Sequence, residues 1–99
     1  MKTRVELSGQ VLDFVRTLAP APRQALRLGL RELVKEAGDI KQLEGELAGW
    51  CRLRVQSYRI IFRYESEEGQ RVARCVFAER RPVVYELFAQ EVRRLLEEK

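Results

Sequence analysis

The side chains in this sequence best suited to chemistry are arginines. Fifteen of the nineteen basic residues are arginine, and the 99-residue chain has no histidine. Eight arginines fall between positions 50 and 81, a block with no lysine and only four acids. The block carries the whole net charge of +4, since positions 1–49 hold eight basic and seven acidic groups and positions 82–99 hold three and four. A guanidinium presents a planar fork that grips phosphate oxygens in pairs and stacks on bases, which a lysine ammonium does not do. A face for binding polyanions and stabilising negative charge is the chemistry this pattern offers, with a solvated charged surface as the plain alternative. Metal chemistry has little support: Cys51 and Cys75 stand 24 positions apart without a histidine, so the common Cys/His zinc spacings are missing. The two cysteines read as small buried hydrophobes.

The elements that position these arginines follow from periodicity. Lys2 to Leu7 reads as a short strand. Ser8 is suited to cap a helix over about 9–18 that buries Val11, Leu12, Val15 and Leu18. Pro20-Ala21-Pro22 interrupts it, because proline has no N–H to donate and disfavours helical angles in the residue before it. A second helix runs to about Ala37 on the stripe Leu26, Leu30, Leu33, Val34 and Ala37, with Gly38 as its C-cap and Arg23, Arg27 and Arg31 outward. Residues 39–49 read as a connection. The period then changes to two: Trp50–Val55 and Tyr58–Tyr64 form a hairpin across Gln56-Ser57. A polar loop from Ser66 to Gln70 leads to a third strand, about Arg71 to Glu79, whose inward side is not assignable because both faces carry apolar residues. Pro82 suits the first turn of a final helix that buries Val84, Leu87, Phe88, Val92, Leu95 and Leu96, with Arg93, Arg94 and Lys99 near its C-terminal end. The expectation is one α+β domain over 1–99. A helical hairpin and a C-terminal helix pack on a small antiparallel sheet, in the order βααβββα.

A two-residue turn sets the hairpin register. Val55 faces Tyr58, Arg54 faces Arg59, Leu53 faces Ile60 and Arg52 faces Ile61. One face then collects Cys51, Leu53, Val55, Tyr58, Ile60, Phe62 and Tyr64. The other collects Arg52, Arg54, Arg59, Ile61 and Arg63. Like charges directly opposite one another cost a sheet on the order of a few tenths of a kcal/mol, so an anionic ligand is the natural countercharge. Neutralisation by acids such as Glu79 or Glu44 is the alternative.

Other function classes are excluded or disfavoured. A hydrophobic fraction of 45% fits a globular core rather than a disordered chain. No apolar run approaches the roughly 20 residues that span a bilayer, and residues 1–7 do not read as a secretory signal, so a cytoplasmic location is expected.

The stretch Leu43 to Tyr64, LEGELAGWCRLRVQSYRIIFRY, resembles the central signature of the RelE/ParE toxins, in which a leucine-glycine loop leads into a basic alternating strand, a turn and a Tyr-Arg strand. The junction RRPVVY, residues 80–85, resembles the basic pair before a valine-tyrosine in that family. The element order is similar too, so the resemblance spans essentially the whole chain. It implies a toxin held inactive by a cognate antitoxin protein, and in the RelE branch a metal-independent endoribonuclease that needs no cofactor. Such an enzyme cleaves mRNA in the ribosomal A site. By motif position Arg52 and Arg54 match phosphate-binding strand residues, and Arg59 matches the arginine near the scissile phosphate. Arg81 matches a second active-site basic residue, and Tyr85 a tyrosine that stacks on a base or moves a proton. Arg63 and Arg80 complete the RNA-binding set. Arg80 stands where many relatives carry histidine, and Pro82 after Arg81 is atypical.

Cleavage of RNA by its own 2′-hydroxyl requires a base, stabilisation of the charged phosphorane and an acid for the leaving oxygen. Arginines supply the stabilisation. Guanidinium groups around Tyr85 would favour its anion as base, with Glu79 as the second candidate. For Tyr85 the alternative is an ordinary core aromatic, and for Glu79 a salt-bridge partner. Two further readings use the same fold: a ParE-like inhibitor of DNA gyrase, and a non-catalytic binding module.

Overall fold

The chain begins its structure where Ser8 stops one strand and starts a helix. In the computed structural model, which describes residues 2–81 and 83–97, β1 spans Arg4–Leu7 and α1 spans Gly9–Thr17. The Ser8 hydroxyl accepts the Val11 N–H at 3.3 Å, the expected N-cap bond. Only Leu18 and Ala19 separate α1 from α2, Pro20–Leu33. The prolines lie in the first turn of α2, where the missing N–H has no partner to lose. The second helix stops four residues earlier than its apolar stripe suggests. Glu36, at φ 54°, takes the left-handed turn there, and Gly38 at φ 114° follows it.

Residues 39–42, expected as loop, form a further strand. β2 (Asp39–Gln42) pairs antiparallel with β3 (Cys51–Val55), and a single 3-10 turn, Gly45–Leu47, lies between them. β3 turns through Gln56-Ser57 into β4 (Tyr58–Glu67), in the register expected from sequence, with Arg54 opposite Arg59 and Leu53 opposite Ile60. Gln56 adopts φ 56°, the backbone conformation for which hairpins usually recruit glycine. β4 and β5 (Gln70–Arg80) are longer than expected: the polar segment is itself strand, closed by a tight turn at Glu68 and Gly69. The chain ends in α3, Val84–Glu97. Pro82 and Lys99 lie outside the described residues.

The α+β class stands, with two changes to the expected plan. The sheet has five strands in the order β1-β5-β4-β3-β2, and it is mixed rather than wholly antiparallel, because β1 runs parallel to β5. That makes β5 a central strand covered on both faces, as its two-sided apolar pattern requires. A bulge adds to the ambiguity: Ile61 pairs with Phe77 but Phe62 with Cys75, so Val76 is an extra residue. After it the alternation shifts, and Ala73, Cys75 and Ala78 all reach the same core.

That core lies under α1 and α2. It joins Val11, Val15, Leu18, Leu26, Leu30 and Leu33 to Leu53, Ile60 and Phe62 of the sheet. Cys51 and Cys75 are buried there as free thiols, and burial pushes the Cys75 thiol up to about 12. Gly29 brings α2 close to β3, since a Cβ there would stand 2.6 Å from Val55 Cγ2. A second cluster fills the opposite face, where Leu47, Ile61, Val84, Phe88 and Ala89 pack with Trp50, Phe77 and Tyr85. Four leucines expected inside are exposed: Leu12, Leu87, Leu95 and Leu96. Each helix is narrower in its buried stripe than its apolar content suggests, because the sheet covers one side only.

Candidate functional site

α3 covers the second face of the sheet incompletely. Beyond its N-terminal end, a cavity of about 640 Å³ opens between β2, the 3-10 turn, the β3–β4 hairpin and the β5–α3 junction. It is lined by Lys41, Arg52, Arg54, Arg59 and Arg81 among the cations, by Glu44 as the one acid, and by Leu43, Leu47, Gln42 and Tyr85. Of the residues expected from sequence, Arg52, Arg54, Arg59, Arg81 and Tyr85 are therefore brought together.

Arg59 is the buried member, with 6% of its surface exposed. Its Nη1 group donates to the carbonyls of Gln56 at 3.0 Å and Tyr58 at 2.9 Å. Those bonds use both Nη1 hydrogens and fix the plane of the guanidinium, because the acceptors belong to the tight β3–β4 turn. Its Nε and Nη2 donors have no partner among the described residues, and no ion pair there involves Arg59. The nearby acids, Glu79 opposite Arg59 in the β4–β5 register and Asp39, form no salt bridge with it among the described residues. Burying a charge is costly unless its donors are paired. Such a group is pre-positioned for an anion.

Arg52 and Arg54 are held from the edge strand. Asp39, directly opposite Arg54 in the β2–β3 register, accepts from Arg52 through its backbone carbonyl at 2.8 Å and its Oδ1 at 3.0 Å. Its other carboxylate oxygen lies 3.9 Å from Arg54 Nε. The hydrogen bond from Arg52, with the charges of Arg52, Arg54 and Arg59, holds the Asp39 carboxyl below its usual range against a smaller effect of burial. The cross-strand row is thus Asp39, Arg54, Arg59, Glu79: two like charges at the centre with an acid on either side.

Arg81 is exposed, and its backbone N–H donates to the Ser57 carbonyl at 2.9 Å. That bond ties the β5–α3 junction to the turn that orients Arg59. Tyr85 is half-buried: its ring packs against the second cluster while the residue also lines the cavity, so the core and the site share it.

The remaining expected residues lie outside the cavity lining. Arg63 donates to Glu65 at 2.8 Å and sits 4.8 Å above the Trp50 ring. Arg80 is 5.8 Å from the Tyr58 ring centre. Glu79 Oε1 accepts the Arg80 N–H at 2.9 Å, so the carboxylate at the cavity is Glu44 and not Glu79. Sequence reasoning missed Lys41 and Asp39 because it read β2 as loop. The signal available is the three-residue polar-apolar alternation of Asp39-Ile40-Lys41, too short by itself to tell a strand from a loop. Glu44 lies inside the Leu43–Tyr64 motif, yet sequence reasoning weighed it only as a countercharge. Among the described residues no group of three or more acidic or cysteine side chains is placed to hold a metal ion, and no helix is long and apolar enough to cross a membrane.

No protein-family model and no curated protein matches the chain in sequence. Solved structures do. The toxin-antitoxin complex RelBE2 of Mycobacterium tuberculosis gives a TM-score of 0.68 at 20% identity, over 82% of this chain and 100% of that one. The E. coli toxin RelE, in a doubly arginine-substituted free form, gives 0.65 at 20% identity over 95% and 98%. A YoeB/ParE toxin from Agrobacterium tumefaciens gives 0.63 at 13% identity over 79% and 98%. With three helices packed on a five-stranded mixed sheet, the chain has the α+β fold of the RelE-like toxins.

Proposed function

We propose that this protein is the toxin of a toxin-antitoxin pair, and that it cuts messenger RNA in the ribosomal A site without a metal. The observation that carries the reading is Arg59, a buried guanidinium that makes no ion pair among the described residues and lines a cavity with Arg52, Arg54, Arg81 and Tyr85. In this reaction the 2′-oxygen of the substrate attacks the adjacent phosphorus and the bond to the 5′-oxygen breaks. A 2′,3′-cyclic phosphate and a 5′-hydroxyl result. One proton leaves the 2′-hydroxyl for a base and another reaches the departing oxygen. Arg59 and Arg81 stabilise the phosphorane charge, while Arg52 and Arg54 hold flanking phosphates. Arg63 and Arg80, off the cavity, extend the path of the strand. Tyr85 moves a proton or stacks on the base. A site with weak acid-base groups suits an enzyme whose substrate is ordered by the ribosome.

Single-turnover cleavage of A-site mRNA on programmed ribosomes tests this, beside a gyrase supercoiling assay. Tyr85→Phe keeps the ring packing and removes only the hydroxyl. It lowers the rate by about 10²-fold if that oxygen transfers a proton. A small loss with Phe and a large one with Ala assigns stacking instead. Intact message with blocked supercoiling would overturn the nuclease in favour of a ParE-like toxin, and inactivity in both assays would leave a binding module. The antitoxin half of the proposal draws on a neighbour solved as a toxin-antitoxin complex. Co-expression with the product of the adjacent gene should remove toxicity.

A further inference from the structure

The cavity holds one charged group that phosphate binding and phosphorane stabilisation do not use. Its lining contains five cations and a single acid, Glu44. A carboxylate weakens the grip of such a wall on phosphate, so the polyanion does not account for it. Nor does Glu44 neutralise an arginine. Arg52 and Arg54 have Asp39 as their acid, and the Glu44 side chain makes no ion pair or hydrogen bond among the described residues. Glu46, two residues on in the same turn, is paired with Arg93 at 3.0 Å. The backbone around Glu44 is fixed on both sides. Leu43 donates its N–H to the Trp50 carbonyl at 2.9 Å, closing the neck of the β2–β3 loop, and the Glu44 carbonyl accepts the Leu47 N–H at 3.3 Å. The neighbouring wall is apolar in part, since Leu43, Leu47 and Tyr85 line the cavity while packing with the second cluster.

We propose that Glu44 reads a nucleobase, and that the base it selects is guanine. Once the arginines hold the phosphates of an RNA strand, its bases are the parts left to meet an apolar wall, and unpaired bases are read along their Watson–Crick edges. A carboxylate only accepts hydrogen bonds, through two oxygens side by side. Guanine alone offers two adjacent donors on that edge, the N1–H and the N2 amine. Adenine and cytosine set one donor beside an acceptor, and uracil sets one donor between two carbonyls. Each of these would bring a lone pair against the carboxylate. The ring of the selected base rests on the wall formed by Leu43, Leu47 and Tyr85. The inference rests on the RNA-binding part of the proposed function and adds its sequence preference, with no proton moved by Glu44.

The test is fluorescence anisotropy of the whole protein, at low salt, with labelled 2′-O-methylated RNA hexamers, which their own 2′-oxygens cannot cleave. The hexamers are uridine throughout except for one guanine, inosine, adenine or cytosine at the third position. Guanine should bind about 10–100-fold more tightly than adenine, the scale of one bidentate base contact. Inosine, which lacks the N2 amine, should fall between them. Glu44→Gln removes the preference and, with one negative charge fewer, leaves adenine binding equal or tighter. Glu46→Gln, on the same turn but outside the cavity, leaves the preference intact. The proposal is overturned if the wild-type protein binds all the hexamers alike or none of them, or if the preference survives Glu44→Gln. Equal binding of all hexamers, with Glu44→Gln slowing A-site cleavage by the same factor at every codon, would assign the carboxylate to proton transfer instead. A guanine preference that depends on Glu44, in a protein that leaves A-site messages intact, would support the base reader and sink the nuclease, so the two failures are distinct.

Discussion

β3 and β4 present two surfaces built by the same alternation. On one, Leu53 lies opposite Ile60, and both are sealed from water beneath α1 and α2. On the other, one residue along each strand, Arg54 lies opposite Arg59, and α3 reaches only far enough to cover Ile61. The backbone is common to both, so strand propensity does not distinguish them. The difference is the extent of helical cover. Two helices close the first face into a packed core, whereas a single helix on the second leaves a charged cavity at its end. If the proposed function holds, stability and ligand binding fall on opposite sides of five-residue segments, and substitutions should separate them.

The largest effect falls on the sealed face. Phe62 is fully buried beneath the helices, and Phe62→Ala should cost about 3–5 kcal/mol of unfolding free energy through lost transfer energy and the cavity left behind. Chemical denaturation measures it, and a cost below about 1 kcal/mol would mean that this face is not closely packed. The contrasting substitution on the open face is Arg81→Ala. That side chain is exposed and makes no ion pair among the described residues. Its removal should slow ribosomal cleavage by about 10²–10³, yet leave stability within about 0.5 kcal/mol. Equal loss of both would dissolve the division between the faces.

A smaller effect probes how tightly the sealed face is held. Gly29→Ala would gain up to about 1 kcal/mol of helix propensity. Its Cβ, however, would meet the branched Val55 Cγ2 at 2.6 Å, a contact that must turn the stiff Val55 side chain or shift α2 or β3. Overpacking of this kind costs about 1–3 kcal/mol, so the net expectation is a loss of about 1 kcal/mol. In a Val55→Ala background the same change should become neutral or stabilising, which a double-mutant cycle reads directly. A stabilising Gly29→Ala in the wild-type background would show that α2 rides loosely on the sheet.

How much of this was legible in the sequence differs between the faces for the same reason. The hairpin register followed from Cys51-Arg-Leu-Arg-Val and Tyr58-Arg-Ile-Ile-Phe, because alternation of arginine with apolar residues leaves a single consistent pairing. The burial of the first face followed with it. The cavity was only half visible. Arg52, Arg54 and Arg59 lie on those strands, but Lys41 and Asp39 come from an edge strand of four residues, too short for its period to register against a loop. Glu44 and Glu79 show the same limit: spacing along the chain put Glu79 near Arg81, while the sheet turns its carboxylate to the Arg80 backbone. The β1–β5 parallel pairing joins residues nearly seventy positions apart, and nothing local encodes it. β5 was legible as a strand, but its inward side was not, because its bulge breaks the period between Cys75 and Ala78.

The smallest effect tests why the open face keeps its arginines. Arg54 and Arg59 oppose one another directly, and a like-charged cross-strand pair costs a few tenths of a kcal/mol. A glutamate at position 54 would relieve Arg59 but confront Asp39, which lies opposite on the other side. Threonine suits a half-exposed strand position and repels neither neighbour. Arg54→Thr also gives up the 3.9 Å contact with Asp39, worth little between exposed groups. The net expectation is a gain of about 0.3 kcal/mol, roughly 1–2 °C in Tm for a domain of this size. Because the gain is electrostatic, it should shrink toward zero near 1 M salt, where the screening length falls to about 3 Å. RNA binding should move the other way. If about four arginines contact phosphates, log affinity falls against log salt with slope near −3, and losing one of them should reduce that slope by about 0.7. A protein stabilised at low salt yet binding RNA more weakly and with a shallower slope would identify Arg54 as a residue retained for its ligand. An unchanged slope, with stability lowered, would instead make Arg54 a partner of Asp39 in holding the edge strand.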